Sequence, residues 1–514
     1  MEKDKIDQIF LKSHKYVSRL GIIIILVAGT SNFLSCSMSL LNKFPEFDCI
    51  NTTSLNKIEK CTQEIFCNAS DIKETINKKL STDNFVLKFE LYCSKKDFIR
   101  NFQSAYYLGA MIGSFILAPV ADKFGRKSTF IFLVILNLFS MLNLIVTFNP
   151  YHLMVVFFIS GTLNYTKYLC NVITSEFSGG KHVGFAISLA NSMFPILGIL
   201  SGVYFYFINK LLYILLFITL LVALILLLSL IYMVESPKWL ITQNKNDELK
   251  KALEFIAKFK DDSNEDSEGL VSINSENLND TNINENTMME TPTTKGNISA
   301  LEQENKTDQK ETKKFYNYID VILMKSQRKK LLTMCFLAFT FSISYYGILL
   351  GINVITKQSF YYGFFMNFIG EVISLLSSGI ISDCFGRKVV MVTSSFLSGA
   401  LFIIYHFLQK YYLNEIRNYS GIVVGVISFC ISAGYNIQGI LSNEIFPTII
   451  KSSCNGLINI IGKLASVLVP VVLYFGEKFL LIIFGSFLIT GGIFPFIIDD
   501  KEKLMKEIYI KLFN

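Results

Sequence analysis

Apolar residues in this sequence are gathered in blocks of roughly 20, the length an α-helix needs to cross ~30 Å of hydrocarbon at ~1.5 Å per residue. Twelve such blocks can be read, at 20–41, 102–120, 128–148, 151–174, 184–207, 211–233, 330–351, 359–381, 389–408, 420–441, 453–474 and 479–498. Lipid offers no partner to open backbone groups, so each block has to be a helix. Composition agrees: 51% of residues are hydrophobic and only 17% charged, against about a quarter charged in soluble chains. That balance excludes a disordered chain, a collagen and a small disulfide scaffold. The fold class is all-α integral membrane. The first block is too long for a signal-peptide core and lacks a small-residue cleavage site, so it reads as a retained signal anchor.

Orientation follows from lysine and arginine in the short loops. One side collects Lys3, Lys5, Lys12, Lys15, Arg19, Lys123, Arg126, Lys127, Lys181, Arg387, Lys388, Lys451, Lys501, Lys503, Lys506 and Lys511; the other holds only Lys210, Lys357, Lys410, Arg417 and Lys478. Both termini, 1–19 and 499–514, are therefore expected in the cytoplasm. The net charge of +7 reports loop charge of this kind and indicates no nucleic-acid partner. The lipid bilayer is the partner that composition establishes.

Two loops are long. Residues 42–100 fall on the outer side and carry Cys49, Cys61, Cys67 and Cys93, with glycan acceptors at Asn51 and Asn68. Cysteines and sequons on the oxidising side agree with the orientation, and two disulfides are expected with three pairings open. The other six cysteines lie in or beside helices and read as packing residues. Residues 235–328 form a cytoplasmic loop. Within it, 247–260 place Leu249, Leu253, Ile256 and Phe259 at helical spacing, as a short helix under the bundle. Residues 261–312 are polar with almost nothing to bury, and read as disordered. The loop divides the chain into six helices, 20–234, and six more, 329–498.

Both halves carry one signature at one place: Asp122-Lys-Phe-Gly125-Arg126-Lys127 after span 2 and Asp383-Cys-Phe-Gly386-Arg387-Lys388 after span 8. A tight glycine turn joins two helices, and the aspartate can pair with the arginine or with a neighbouring helix. Such pairs can break and re-form, which suits a latch between conformations. One copy could be a topology signal alone; two copies mark an internal duplication.

This repeated D-x-x-G-R-K resembles the major facilitator superfamily. Further pieces are similar to its organic cation and anion transporters: Phe44-Pro45 running to Cys49, Phe89 to Cys93, Asn101 to Ser104, Gly109 and Gly113, Glu235-Ser236-Pro237-Lys238-Trp239-Leu240, and Asn443-Glu444 to Pro447-Thr448 with Lys451 beyond. The resemblance implies a major facilitator fold of 12 transmembrane helices in two pseudo-symmetric six-helix bundles. It implies a latch of Asp122, Arg126, Glu176, Asp383, Arg387 and Glu444 around the glycine turns. The family usually has an arginine shortly after the glutamate that ends span 4. Here Glu176 is followed by Lys181 and His182, so the latch on that side is expected to be weaker or rebuilt. The external loop is shorter than is usual there. Sugar porters share two of these motifs, but span 7 here reads Phe339 to Gly347 with Tyr345 and Tyr346, aromatic and without the amide-rich pattern of that branch.

Charges within a span are costly and face a cavity or a partner. Lys167 lies nine residues before Glu176, or ~14 Å in from that end. Lys463 lies eleven residues after Ser452, or ~16 Å in. Glu371 lies twelve residues before Asp383, or ~18 Å in. All three fall near the midplane, too deep to snorkel. By resemblance, the position of Lys463 tends to be aspartate in cation carriers and arginine in anion carriers, Lys167 replaces an aromatic of cation carriers, and Glu371 matches an acidic position of both. Two lysines against one glutamate favour an organic anion. A plain Lys463–Glu371 ion pair that only positions helices is the alternative. Tyr345, Tyr346 and Tyr435 match cavity-facing aromatics of the family, while Tyr361 and Tyr362 read as interfacial belt residues.

No enzyme, zinc or phosphate-loop signature occurs, and neither a cofactor nor a metal is expected. The expected activity is alternating-access carriage of a small organic ion, an anion by preference, with exchange against a counter-transported anion by resemblance. Alternatives are an organic cation or zwitterion carrier, a sugar porter, and a non-transporting membrane receptor. The plasma membrane is the expected location.

Overall fold

The computed structural model describes residues 13–50, 58–61, 66–67, 73–77, 81–93, 97–177, 183–259, 325–356, 360–412, 417–446, 451–475 and 479–497. Asn51, Asn68, Lys181, His182, the polar stretch 261–312 and the tail 499–514 lie outside the described residues.

Among the described residues, eleven helices are long and apolar enough to cross a bilayer, and a shorter apolar one follows at Leu480–Phe496. They reproduce the twelve expected blocks in order, and spans 1, 2, 7, 8 and 10 extend a turn or more beyond the apolar core. Span 2 runs Asp97–Phe124, span 5 Val183–Phe207, span 6 Leu211–Tyr232, span 7 Lys325–Ile355, span 8 Phe360–Phe385, span 10 Ser420–Ile445 and span 11 Lys451–Phe475. Span 12 is brief because its α-helix stops at Ile493 and tightens into a 3-10 turn, Phe494–Ile497.

Spans 1 and 4 depart from single helices. Span 1 is made of His14–Thr30 and Phe33–Leu41, and span 4 of Pro150–Thr162 and Tyr165–Phe177. The two interruptions meet: the Asn164 amide donates to Asn32 Oδ1 at 2.7 Å, and the Asn32 amide donates back to Ala28 O at 2.8 Å. The Asn32 amide here replaces part of the backbone ladder, one of the ways a helix breaks without proline.

The apolar surface divides as a bilayer requires. One large cluster of buried side chains runs through both halves, while Leu220, Phe217, Ile231 and Ile380 stand outward. The lipid covers such side chains, so outward polarity is not needed. The short helix expected at 247–260 spans Asn246–Ala257. Phe255 and Phe259 pack on Tyr16 of span 1 at 6.2 and 5.8 Å between ring centroids.

The outer loop adds a small sheet that composition did not announce. Strands β1 (Phe47–Ile50), β2 (Ile58–Cys61) and β3 (Lys73–Ile76) pair antiparallel in the order β2-β1-β3. Cys67 is bonded to Cys93. Of the three pairings left open by the sequence, this bond leaves only Cys49 with Cys61. In the β1–β2 pairing, Cys49 is opposite Glu59, two residues from Cys61. Peptide mapping without reduction should recover the Cys67–Cys93 link; a Cys67–Cys61 or Cys67–Cys49 link would contradict this loop fold.

Candidate functional site

The glycine turns position the arginine of each repeated motif. Gly125 and Gly386 have φ of 99° and 88°, a conformation open to glycine at little cost. In the first half, Arg126 reaches Asp122 at 3.0 Å and Glu176 at 3.2 Å. In the second, Arg387 bonds Asp383 and Ser382 and lies 3.5 Å from Glu444. The two sets differ in burial. The side chains of Arg126 and Glu176 are 14% and 16% exposed, those of Arg387 and Glu444 24% and 49%, so solvent screens the second set more. Glu176 Oε2 is buried without a hydrogen bond among the described residues, on the carboxylate that lacks the family's following arginine. Lys127 and Lys388 begin spans 3 and 9 beside these arginines.

Glu235 supplies what sequence reading did not assign. Its carboxylate accepts from the backbone N–H groups of Arg126 at 2.8 Å, Lys127 at 3.1 Å and Ser236 at 3.0 Å. A carboxylate thus caps the positive end of span 3. Trp239 completes the joint by donating from Nε1 to Asp122 O at 2.9 Å. The motif after span 6 is therefore the clasp on the motif after span 2.

At mid-depth the charged residues converge from both halves. Lys463, 2% exposed, donates to the Tyr346 hydroxyl at 2.9 Å. Its ammonium also lies 5.0 Å from the Tyr346 ring and 5.9 Å from the Tyr168 ring. Lys167 stands 5.4 Å over Phe194. Glu371, 4% exposed, accepts the Tyr345 hydroxyl. The helix-positioning ion pair between Lys463 and Glu371 does not form: each charge is held by an aromatic residue instead, an arrangement that cation–π attraction and hydrogen bonding both favour.

Tyr345 and Tyr435 stack at 5.4 Å, and Tyr345 meets Tyr346 edge-on at 5.0 Å. The structure adds Tyr107, whose ring packs on Tyr346 at 4.8 Å and whose buried hydroxyl has no hydrogen bond among the described residues. Phe194 packs toward Tyr345 and Phe368. Tyr107, Tyr168 and Phe194 were not legible as site residues, because 46 Phe and 24 Tyr in the chain make any single aromatic uninformative.

The site is shut at both ends. Toward the outer loop, Gly198 and Gly202 of span 5 admit Phe368 and Phe364 of span 8; a Cβ on either glycine would come within 2.6 and 2.9 Å of those rings. Ser39 of span 1 also bonds the Leu349 carbonyl of span 7. Toward the latch, Asn436 of span 10 donates to Ser188 of span 5 at 2.9 Å and to Ser378 of span 8 at 3.0 Å. Between these closures lies a void of about 10 Å³ beside Tyr345, Asn367, Glu371 and Ser428, room for a single water. A larger molecule at this depth would need the aromatic side chains to part.

The model of the Major Facilitator Superfamily matches residues 96–470. The chain belongs to this superfamily. It is 23% identical over 422 residues to organic cation transporter 1 of Caenorhabditis elegans, covering 81% of this chain and 67% of that one. It is 24% identical over 492 residues to organic cation/carnitine transporter 4 of Arabidopsis thaliana, covering 94% and 85%. With human solute carrier family 22 member 13 the figures are 25% over 422 residues, 79% and 67%. The likeness to organic cation transporters and solute carrier family 22 members thus extends through most of the chain. Among solved structures, the proton:xylose symporter of the superfamily, bound to 6-bromo-6-deoxy-D-glucose, superposes with a TM-score of 0.58 at 14% identity, covering 94% of this chain and 95% of that one. At that identity it speaks for the fold alone.

Glu235→Ala should lower the stability of the solubilised protein by about 2 kcal/mol, since three backbone donors lose a charged acceptor. A thermal melt followed by tryptophan emission checks this directly, because Trp239 is the chain's one tryptophan and sits in the clasp.

Proposed function

We propose that this facilitator carries small organic ions across a bilayer by alternating access, and that it prefers organic anions. The observation that carries the reading is at mid-depth: two lysines, Lys463 and Lys167, rest on aromatic rings with no carboxylate bonded to either. The one nearby carboxylate, Glu371, is engaged by Tyr345. A solute carboxylate arriving between the lysines would meet two cations, neither of them within ion-pair distance of a carboxylate, with Glu371 acting on Lys167 only from farther away. Tyr345, Tyr346 and Tyr435, with Tyr107, Tyr168 and Phe194, would hold a flat apolar body.

The two six-helix halves would rock about this site, with Asp122, Arg126, Glu176, Asp383, Arg387 and Glu444 holding the latch and Glu371 linking charge to conformation. Exchange against an intracellular anion is the preferred mode. The lysine-rich loops favour a cytoplasmic side for the latch and both termini, and the plasma membrane is the proposed location.

A second reading takes an organic cation or zwitterion, with Glu371 as counter-charge. It is favoured by the burial of Glu371 among Tyr345 and its stacked partner Tyr435. The names of two relatives, an organic cation transporter and an organic cation/carnitine transporter, also favour it.

Uptake of a labelled aromatic carboxylate and a labelled quaternary ammonium, measured side by side in transfected cells, separates the readings. Carboxylate uptake is expected in the wild type and should fall at least ~100-fold in Lys463→Asp, which turns a paired charge into a repelling one. Glu371→Gln should keep part of the carboxylate uptake. Ammonium uptake that survives Lys463→Asp and is lost in Glu371→Gln would instead establish the cation reading.

A further inference from the structure

A polar seam runs along the contact between spans 8 and 10, within the second half. Span 8 gives it Asn367, Glu371, Ser374, Ser378 and Ser382, on one helix face, and span 10 gives it Ser428, Ser432 and Asn436; all are buried. Hydrogen bonds join its members: Ser428 donates to Asn367 Oδ1 at 2.6 Å, Ser374 to the Phe429 carbonyl at 2.7 Å, and the Asn436 amide to Ser378 at 3.0 Å. At the latch end Ser382 accepts from Arg387 at 2.6 Å. Ser432 differs from its neighbours. Its hydroxyl is buried with no hydrogen bond among the described residues, and it borders the void of about 10 Å³ that Glu371, Asn367, Ser428 and Tyr345 also line. Glu371 has one hydrogen-bond partner among the described residues, Tyr345 at Oε1.

We propose that this void holds a water through which Glu371 takes up a proton, and that the proton travels with the solute anion. This rests on the anion reading above. A carboxylate, an amide and hydroxyls around a space of that size give a buried water the polar partners it needs, and the water gives Ser432 a partner. The transfer needs nothing further: a hydronium in the void passes its proton to Glu371 Oε2 and remains as water, while Tyr345 keeps donating to Oε1. The groups acting on Glu371 are Lys167 of span 4 and Tyr345 of span 7, and it acts in turn on Tyr435 of span 10 and Cys36 of span 1. Spans 5 and 9, packed on the same helix, add no acting charge among the described residues. A solute carboxylate that draws Lys167 leaves Glu371 with a second anion nearby and its cation shared, and a proton on Glu371 relieves both. The coupling is reciprocal, so a proton in place tightens the anion in the same proportion. Exchange of one anion for another then moves no net proton, whereas net entry runs on a proton gradient. Ser374, Ser378 and Ser382 line span 8 between Glu371 and the latch, so water entering when the Asn436–Ser188 closure opens meets hydroxyls up to the carboxylate.

The test uses the full chain in cells. Uptake of the labelled aromatic carboxylate is measured against concentration between about pH 8 and pH 6 outside, a window in which the solute stays ionised. Acidification should lower the wild-type KM about tenfold. Glu371→Gln, fixed in a neutral form, should show no such change. Ser432→Val, which fills the void, and Ser432→Ala, which removes the hydroxyl, should keep uptake at the higher pH and lose most of the change. A wild-type KM indifferent to pH would overturn the proposal, and so would a pH dependence that persists in Glu371→Gln. Persistence in both Ser432 variants would overturn the part given to the water. Replacing external sodium by N-methylglucamine at constant pH should leave uptake unchanged; loss of uptake would give the void to a metal cation and overturn the proton assignment.

The proton is also read directly. In proteoliposomes loaded with a pH dye and no counter-anion, an inward carboxylate gradient should acidify the lumen beyond protein-free vesicles. Per labelled carboxylate taken up, Glu371→Gln should acidify far less, and equal acidification would overturn the role of Glu371. A wild type that carries the quaternary ammonium and no carboxylate would defeat the anion reading and the joint passage. The proton and the organic cation would then compete for Glu371, so acidification should raise the ammonium KM, and a KM that stayed level would defeat the protonation of Glu371 as well.

Discussion

A lysine in the middle of a membrane has few places to put its charge, and the centre of this structure follows from how Lys463 does so. Hydrocarbon excludes it, a carboxylate partner would neutralise it, and water is kept out by closures on both sides. What remains is the face of a ring and the oxygen of a phenol. Tyr346 offers both from span 7, and Tyr168 offers a second ring from span 4. These spans belong to different halves, so the solvation of one ammonium is also a bond between the halves. A solute that drew Lys463 away would replace some of that contact, and the preference for one arrangement of the halves would change with it. Binding and conformational change would then act on the same few atoms.

The two ends of the molecule are built differently around that centre. At the latch end the contacts are charged and local: each arginine closes on carboxylates of its own half, and Glu235 binds the span 3 terminus through backbone groups. These keep each half rigid. A neutral contact crosses between the halves there, from the Asn436 amide to Ser188, while the same amide also holds Ser378 of its own half. Tyr435, its neighbour on span 10, stacks on Tyr345 in the aromatic cluster at mid-depth. A shift of span 10 therefore reaches both the site and this closure at once.

Much of this could be read from residues alone. Blocks of apolar residues fix the number of spans because lipid leaves no alternative to helix. The repeated Asp-x-x-Gly-Arg-Lys fixes the duplication, and Lys167, Glu371 and Lys463 announce themselves because charge at mid-depth is costly. Other features have no such signal. The breaks at Asn32 and Asn164 depend on each other across space and contain no proline. Glu235 and Trp239 sit in a visible motif, but only the fold shows that they grip the turn after span 2. The strands of the outer loop are four residues long, too short to stand out from a polar loop. The aromatic lining is hidden by abundance: Tyr168 and Phe194 look like any other ring in a membrane helix until the lysines are seen beside them.

The short helix Asn246–Ala257 has one further consequence. Its rings interlock with Tyr16 of span 1, while Arg19 covers Phe259 at 5.2 Å and Tyr232 at 5.9 Å. All of these belong to the first half, so the helix is fastened to that half as a pointer is fastened to a dial. Its outer face, with Glu248, Lys251 and Glu254 in solvent, moves through an arc whenever the first half tilts against the second. A reporter placed there would register the tilt from outside the bilayer, with the solute path untouched.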